Sequence, residues 1–268
     1  MTKKKPAGVD ARRAARIMTF NKPSALAGRL ADLRLPRPML GALISAYSSW
    51  FGVDLSEARQ QKGEFGTFGD FFARTLKDGE RPVNEAPRIL TSPCDGTLHN
   101  FGSVDPDGCI PQIKGHDYSV AELLQDEARA ADFRQGTYAT IYLSPSHYHR
   151  VHAPVAADIS YCRHLPGALY SVSSFFVSRM KNLFVTNERI PIYLDSEHGK
   201  VCVVMVGATI VGKIKLTFCD LETNRDGDAP VEAVFSPPFA VEKGADLGAF
   251  HLGSTVVLLM EKKWKAHM

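Results

Sequence analysis

From Tyr138 onward the chain is built of short strand-like runs, and this limits the folds open to it. The runs are Tyr138–Leu143, Ile159–His164, Arg189–Leu194, Val201–Val206, Thr209–Phe218 and Thr255–Met260, punctuated by Gly, Pro, Asp and Asn. Val, Ile and Thr dominate the stretch from Val201 to Thr217. β-Branched residues suit a pleated surface and the intervening residues suit turns. Strands and helices do not alternate, so a doubly wound parallel sheet is disfavoured. There is no internal repeat and no GxGxxG segment. The expectation is an α+β protein whose body, residues 65–268, holds antiparallel sheets in a sandwich- or barrel-like arrangement. The 268 residues, 44% hydrophobic and 23% charged, suffice for one sizeable core and fit neither a disordered tail nor a polytopic membrane protein.

The first 64 residues read differently. Met39–Leu55 places Leu40, Leu43, Ile44, Tyr47, Trp50 and Phe51 at helical spacing, opposite Gly41, Ser45, Ser48 and Ser49. Just beyond these 64 residues, at the start of the body, Thr67–Leu76 reads as a short second helix with Phe68, Phe71 and Phe72 on one face. Residues 1–38 carry ten Lys/Arg and only Asp10 and Asp32, a net of +8 on a chain whose total is +3. A basic head on a mildly acidic body points to an anionic partner or to a solubilising N-terminus. Two fates are open to the Met39–Leu55 helix: packing on its own core, or lying in a membrane interface. No run of about 20 apolar residues is present, so a membrane would be met peripherally. The basic segment lacks regularly interleaved aromatics and no RNP-like motif occurs, which disfavours nucleic acid.

Cys94, Cys109, Cys162, Cys202 and Cys219 are scattered, odd in number and without a CxxC pair, which suits unpaired thiols. His147, His149, His152 and His164 cluster within eighteen residues. A metal site is one reading, although no acidic residue or cysteine lies between His147 and Cys162 other than Asp158. A general base beside a nucleophile is another, and histidines capping a loop a third. Ser92-Pro-Cys-Asp-Gly96 is a turn, in which Asp95 acquires a role only if it orients a histidine. In Phe250-His-Leu-Gly-Ser-Thr-Val-Val257, glycine lets a neighbouring hydroxyl approach its carbonyl carbon, so Ser254 could attack the peptide bond in front of it.

Taken in order, these segments resemble the phosphatidylserine decarboxylases, a pyruvoyl-dependent family. The matching residues are Phe68-Gly-Asp-Phe-Phe-Ala-Arg74, Ser92-Pro-Cys-Asp-Gly96, Tyr148-His-Arg-Val-His152, Asn187-Glu-Arg189, Val206-Gly-Ala-Thr-Ile-Val-Gly212 and Leu252-Gly-Ser-Thr255. Cys94 stands where the family often has Ala, and His147 where it often has Asp. The resemblance implies that Ser254 is an internal nucleophile, His152 its base and Asp95 the orienter of His152. Attack on the Gly253 carbonyl would give an ester, and elimination followed by loss of ammonia would leave a pyruvoyl group on residue 254. The chain would thus be cut into 1–253 and 254–268, which stay associated. The pyruvoyl ketone would form a Schiff base with phosphatidylserine and accept electrons as CO₂ leaves, giving phosphatidylethanolamine, with His149 as candidate proton donor. On a regular strand His149 and His152 would face oppositely, so a bend must serve both. The resemblance further implies a homodimer. Residues 1–64 are expected to be a basic, amphipathic helical membrane-docking region, the protein to sit peripherally on the cytoplasmic face of the bacterial inner membrane, and no metal to be held. An unprocessed Ser-His-Asp hydrolase and a non-catalytic lipid-surface module are the alternatives; no GxSxG elbow surrounds Ser254.

Overall fold

The computed structural model describes residues 28, 30–112, 116–209, 213–223, 230–251 and 254–264. Most of the basic head, Gly253 and Leu252 lie outside them. Helix α1 is Arg37–Phe51, started near Pro38 and stopped by Gly52, whose left-handed φ of 72° suits glycine. It ends earlier than the apolar spacing suggests. Its apolar residues also divide between two faces: Leu40 and Ile44 are buried over Phe65 and Phe71, whereas Met39, Leu43, Trp50 and Phe51 are exposed. Tyr47 stands between, edge-on to Phe68, Phe71 and Phe72.

Helix α2 is only Phe68–Phe72, with the Thr67 hydroxyl accepting from the Asp70 N–H at 3.0 Å. Residues 75 and 77 leave the helical path because their backbones bond instead to Arg59 and Glu57. Then follow β1 (Thr97–Ser103), β2 (Cys109–Pro111), β3 (Asp117–Ser119), α3 (Val120–Leu124), α4 (Glu127–Ala130), β4 (Thr137–Leu143), β5 (Arg150–His152) and β6 (Ala157–His164). The remainder is α5 (Ser174–Val177), α6 (Leu183–Thr186), β7 (Arg189–Ser196), β8 (Gly199–Val206), β9 (Ile214–Leu216), β10 (Val231–Val241), β11 (Asp246–Phe250) and β12 (Ser254–Met260).

Among the described residues the strands form a seven-stranded sheet in the order β1-β4-β12-β8-β7-β6-β10, a three-stranded sheet β5-β11-β9 and the pair β2-β3, with antiparallel pairing throughout. The two larger sheets share one core, in which Val151, Ile214, Leu247 and Phe250 meet Leu143, Val204 and Val256. β12 is buried along its whole length between β4 and β8. Such a strand, covered on both faces, reads as an unbroken apolar run rather than an alternating one. Among the described residues no helix is long and apolar enough to cross a membrane. All five cysteines are free thiols.

One end of the large sheet gathers the segments that sequence reading singled out. Ser254 pairs with Leu143, Thr255 with Val206, and Val206 with Arg189. Thr97 and Thr255 flank Tyr142 from either side, so the Ser92–Gly96 turn approaches the head of β12. Gly96 is needed there, because a Cβ on it would stand 2.6 Å from both the Tyr142 carbonyl oxygen and Ile141 Cγ2.

Candidate active site

Ser254 opens β12 with its side chain fully buried, and its Oγ has no hydrogen-bond partner among the described residues. A buried hydroxyl without a partner is costly, and Ser48 and the neighbouring Thr255 share that condition. The chain arrives there from β11, whose Phe250 N–H donates to the His149 carbonyl at 3.0 Å. The histidine segment and the approach to Ser254 are therefore joined by backbone.

His152 closes the short strand β5 and its N–H donates to the Pro93 carbonyl at 2.7 Å, next to the turn that carries Asp95. Its Nδ1 lies 2.9 Å from the Gly244 carbonyl, which can only accept. Nδ1 therefore carries the proton and Nε2 presents a lone pair. That lone pair takes the Tyr148 hydroxyl at 3.1 Å. Burial lowers the pKa of His152, partly offset by its bond to Gly244; Arg150 lowers it further and Asp95 raises it.

Asp95 differs from expectation. The direct bond to His152 that an orienter would make is absent; the Gly244 carbonyl takes that position. The Asp95 carboxylate is instead gripped by Arg81, with Nε to Oδ1 at 2.8 Å and an NH2 bond to Oδ2 at 2.7 Å. A forked guanidinium is a stronger partner for a carboxylate than a neutral imidazole. The same guanidinium also donates to Glu57 at 2.8 Å, and both acids raise the Arg81 pKa. Asp95 still acts on His149 and His152 through space, raising the proton affinity of each.

His149 is wholly buried against Phe72, with ring centroids 4.3 Å apart. It precedes β5, so the constraint of opposite faces on one regular strand does not apply to it. Its Nδ1 donates to the His147 carbonyl at 2.8 Å, and its Nε2 has no partner among the described residues. Burial, above all, pushes its pKa down to about 3. His149 is thus neutral near pH 7 with an empty acceptor at Nε2. A residue whose folded pKa lies below its unfolded value near 6.5 makes unfolding more favourable as pH falls through that interval. Stability is therefore expected to fall between about pH 6.5 and 3 by a few kcal/mol, and the slope of urea midpoint against pH should flatten in a His149→Gln variant.

The other two clustered histidines have hydrogen-bond partners outside this group. The half-buried His147 accepts at Nδ1 from the Ser144 N–H at 3.0 Å. The buried His164 meets Glu188 at 2.8 Å through Nε2. No group of three His, Cys, Asp or Glu side chains converges among the described residues. Cys94 is buried beside Asp95 with its thiol pKa pushed up by burial. Sequence reading gave no role to Arg81, Tyr148 or Gly244. Tyr148 lies inside the Tyr148–His152 motif, but its position in the sequence discloses no partner.

Comparison with known proteins decides the family. Residues 68–268 match the phosphatidylserine decarboxylase family model. The chain belongs to the phosphatidylserine decarboxylase family. It is 41% identical over 251 residues to a protein of Anaeromyxobacter sp. (strain K), covering 92% of this chain and 88% of that one. It is 39% identical to one from Myxococcus xanthus (90% and 85% covered) and 41% identical to one from Azotobacter vinelandii (88% and 84%). All three relatives are named phosphatidylserine decarboxylase proenzyme. As a phosphatidylserine decarboxylase the chain is a carboxy-lyase, and Ser254, His149 and His152 fall within the matched segment.

Proposed function

We propose that this chain converts phosphatidylserine to phosphatidylethanolamine and CO₂ after cutting itself between Gly253 and Ser254, as a step of phospholipid biosynthesis. The observation that carries the reading is the buried, partnerless Ser254 Oγ at the head of a central strand. His152 suits the base, since Nδ1–H is spent on Gly244 and Nε2 is left to take the serine proton once Tyr148 yields it. Asp95, held by Arg81, stabilises the resulting imidazolium by charge. Ser254 Oγ attacks the Gly253 carbonyl, the amide becomes an ester, and loss of the Ser254 α-proton releases the 1–253 carboxylate. Hydrolysis of the dehydroalanine left behind releases ammonia and leaves a pyruvoyl group at residue 254.

The partnerless, enclosed position of residue 254 fits such a group, which when present supplies a carbonyl that accepts the electron pair freed as CO₂ departs. His149 Nε2, neutral and vacant, takes the proton that the substrate ammonium gives up on binding and returns it to the substrate α-carbon. An intact-mass measurement of purified protein tests this. A fragment 254–268 bearing a pyruvoyl end is expected, and borohydride added with an amine substrate should label that fragment. One uncut active chain overturns the proposal.

Its lipid substrate requires the enzyme to work at a bilayer. The exposed face of α1, with Trp50 84% exposed beside Met39, Leu43 and Phe51, supports peripheral docking, aided by the basic head. Deleting residues 1–55 should weaken sedimentation with phosphatidylserine vesicles at least about tenfold; unchanged sedimentation removes α1 from this role. The same reading places the protein, as a homodimer, on the cytoplasmic face of the bacterial inner membrane.

A further inference from the structure

The connection between β6 and β7 leaves the large sheet at His164 and rejoins it at Arg189. Arg189 pairs with Val206, Val206 with Thr255, and the neighbouring Ser254 with Leu143. The connection therefore stands at the Ser254 end of the sheet. Tyr47 of α1 reaches the same end, its hydroxyl 3.4 Å from the Pro145 carbonyl.

This connection is held in shape. Val172, Val177 and Leu183 are buried in the main core. The buried Gln112 side chain donates to the carbonyls of Val177 and Met180 at 2.7 Å each and accepts from the Leu183 N–H at 3.1 Å. Asn187 ties Tyr170 to Gly207. On this framework α5 turns Phe175 and Phe176 outward, 59% and 43% exposed, with rings edge to face at 5.5 Å. The Arg179 guanidinium lies 3.8 Å over the Phe175 ring and donates to the Phe175 carbonyl. Lys181 is also exposed, and residues 171–182 contain no Asp or Glu. A fixed tip carrying two adjacent exposed aromatics is a surface made to be covered by apolar matter. Cations around it, and no carboxylate, fit an anionic partner; arginine beside an aromatic ring suits the level of lipid headgroups.

We propose that Phe175 and Phe176, flanked by Arg179 and Lys181, form a second foot that inserts into an anionic phospholipid bilayer beside the Ser254 end of the sheet. The proposal rests on the reading that the enzyme works at a bilayer, and it is independent of α1. With two feet the protein would be oriented on the membrane as well as attached to it.

The test compares full-length wild type, Phe175→Ser/Phe176→Ser and Trp50→Ser on phosphatidylcholine vesicles with and without phosphatidylserine. The double variant should bind phosphatidylserine vesicles about tenfold more weakly. Its ratio of decarboxylation on vesicles to that on a monomeric short-chain phosphatidylserine should fall in parallel. A Phe176→Trp probe in a Trp50→Phe background should shift its emission to the blue on adding those vesicles. Wild-type binding by the double variant with weakened binding by Trp50→Ser overturns the foot and keeps the bilayer reading. Wild-type binding by both overturns the foot and counts against that reading as well. An unshifted emission from the Phe176→Trp probe, or a change of subunit association with vesicle binding intact, also overturns the foot; the latter assigns the tip to a second copy of this chain.

Discussion

Ser254→Ala is expected to remain one polypeptide and to lose decarboxylation by about 10⁴-fold or more, since both the cut and the group that accepts electrons depend on that hydroxyl. The measurement is denaturing electrophoresis with intact mass, beside CO₂ release from phosphatidylserine. The substitution removes one oxygen from a position where Oγ has no partner among the described residues, so no hydrogen bond described there is lost with it. Thermal stability should consequently stay close to that of the uncut wild type, and a folded, inert precursor is the expected product. A Ser254→Ala chain that still splits before residue 254 would show that the nucleophile lies elsewhere.

His149→Gln is expected to separate the two reactions. His152, with Gly244 and Tyr148, is left to promote the cut, so fragments 1–253 and 254–268 should still form. Turnover should drop by roughly 10²–10⁴-fold, the usual range for losing a positioned proton carrier. The reasoning is local: the His149 proton is committed to the His147 carbonyl, and the bare Nε2 holds nothing else among the described residues. Single-turnover release of CO₂, measured on material whose cleavage is complete, isolates the effect. Normal turnover by cut His149→Gln protein would remove His149 from the chemistry, and failure to cut would assign it to maturation.

Much of the large sheet was legible because its central strands need no periodicity to be noticed. β4, β7, β8 and β12 are largely buried on both faces, and their β-branched runs stand out unaided. The strands that escaped notice lack that signature. β5 is three residues long, whereas β9 falls within the anticipated Thr209–Phe218 run, part of which lies outside the described residues. β10 carries Pro237 and Pro238, where its pairing with β6 shifts register, and it lies at the edge, where proline is readily accommodated. β11 holds Gly248 beside the Lys215 carbonyl. Helix α1 misled in another way: spacing finds apolar residues, but only packing divides Leu40 and Ile44 from Leu43 and Trp50.

Asp95, His149, His152 and Ser254 stand out in the sequence because their segments are short and distinctive, whereas the bonds these residues make are not written there. That the Gly244 carbonyl, from the turn between β10 and β11, would fix the His152 tautomer follows only from tertiary structure. Arg189 shows the same limit. It belongs to a recognised motif, yet its buried guanidinium donates to the carbonyls of Glu122, Leu123, Val185 and Asn187, which is scaffolding for the segment behind it.

The place of β12 has a consequence for the life of the protein after maturation. A break ahead of Ser254 would turn the middle stave of the large sheet into a separate peptide, laced to β4 on one side and β8 on the other. Such a peptide leaves only if the sheet opens, so the severed form should endure while folded. Once denatured, it would have to be recaptured from solution, and recovery would depend on concentration as it does for any two-component assembly. Folding first and cutting second would give the molecule a one-way assembly, built as a single thread and not readily rebuilt from its pieces.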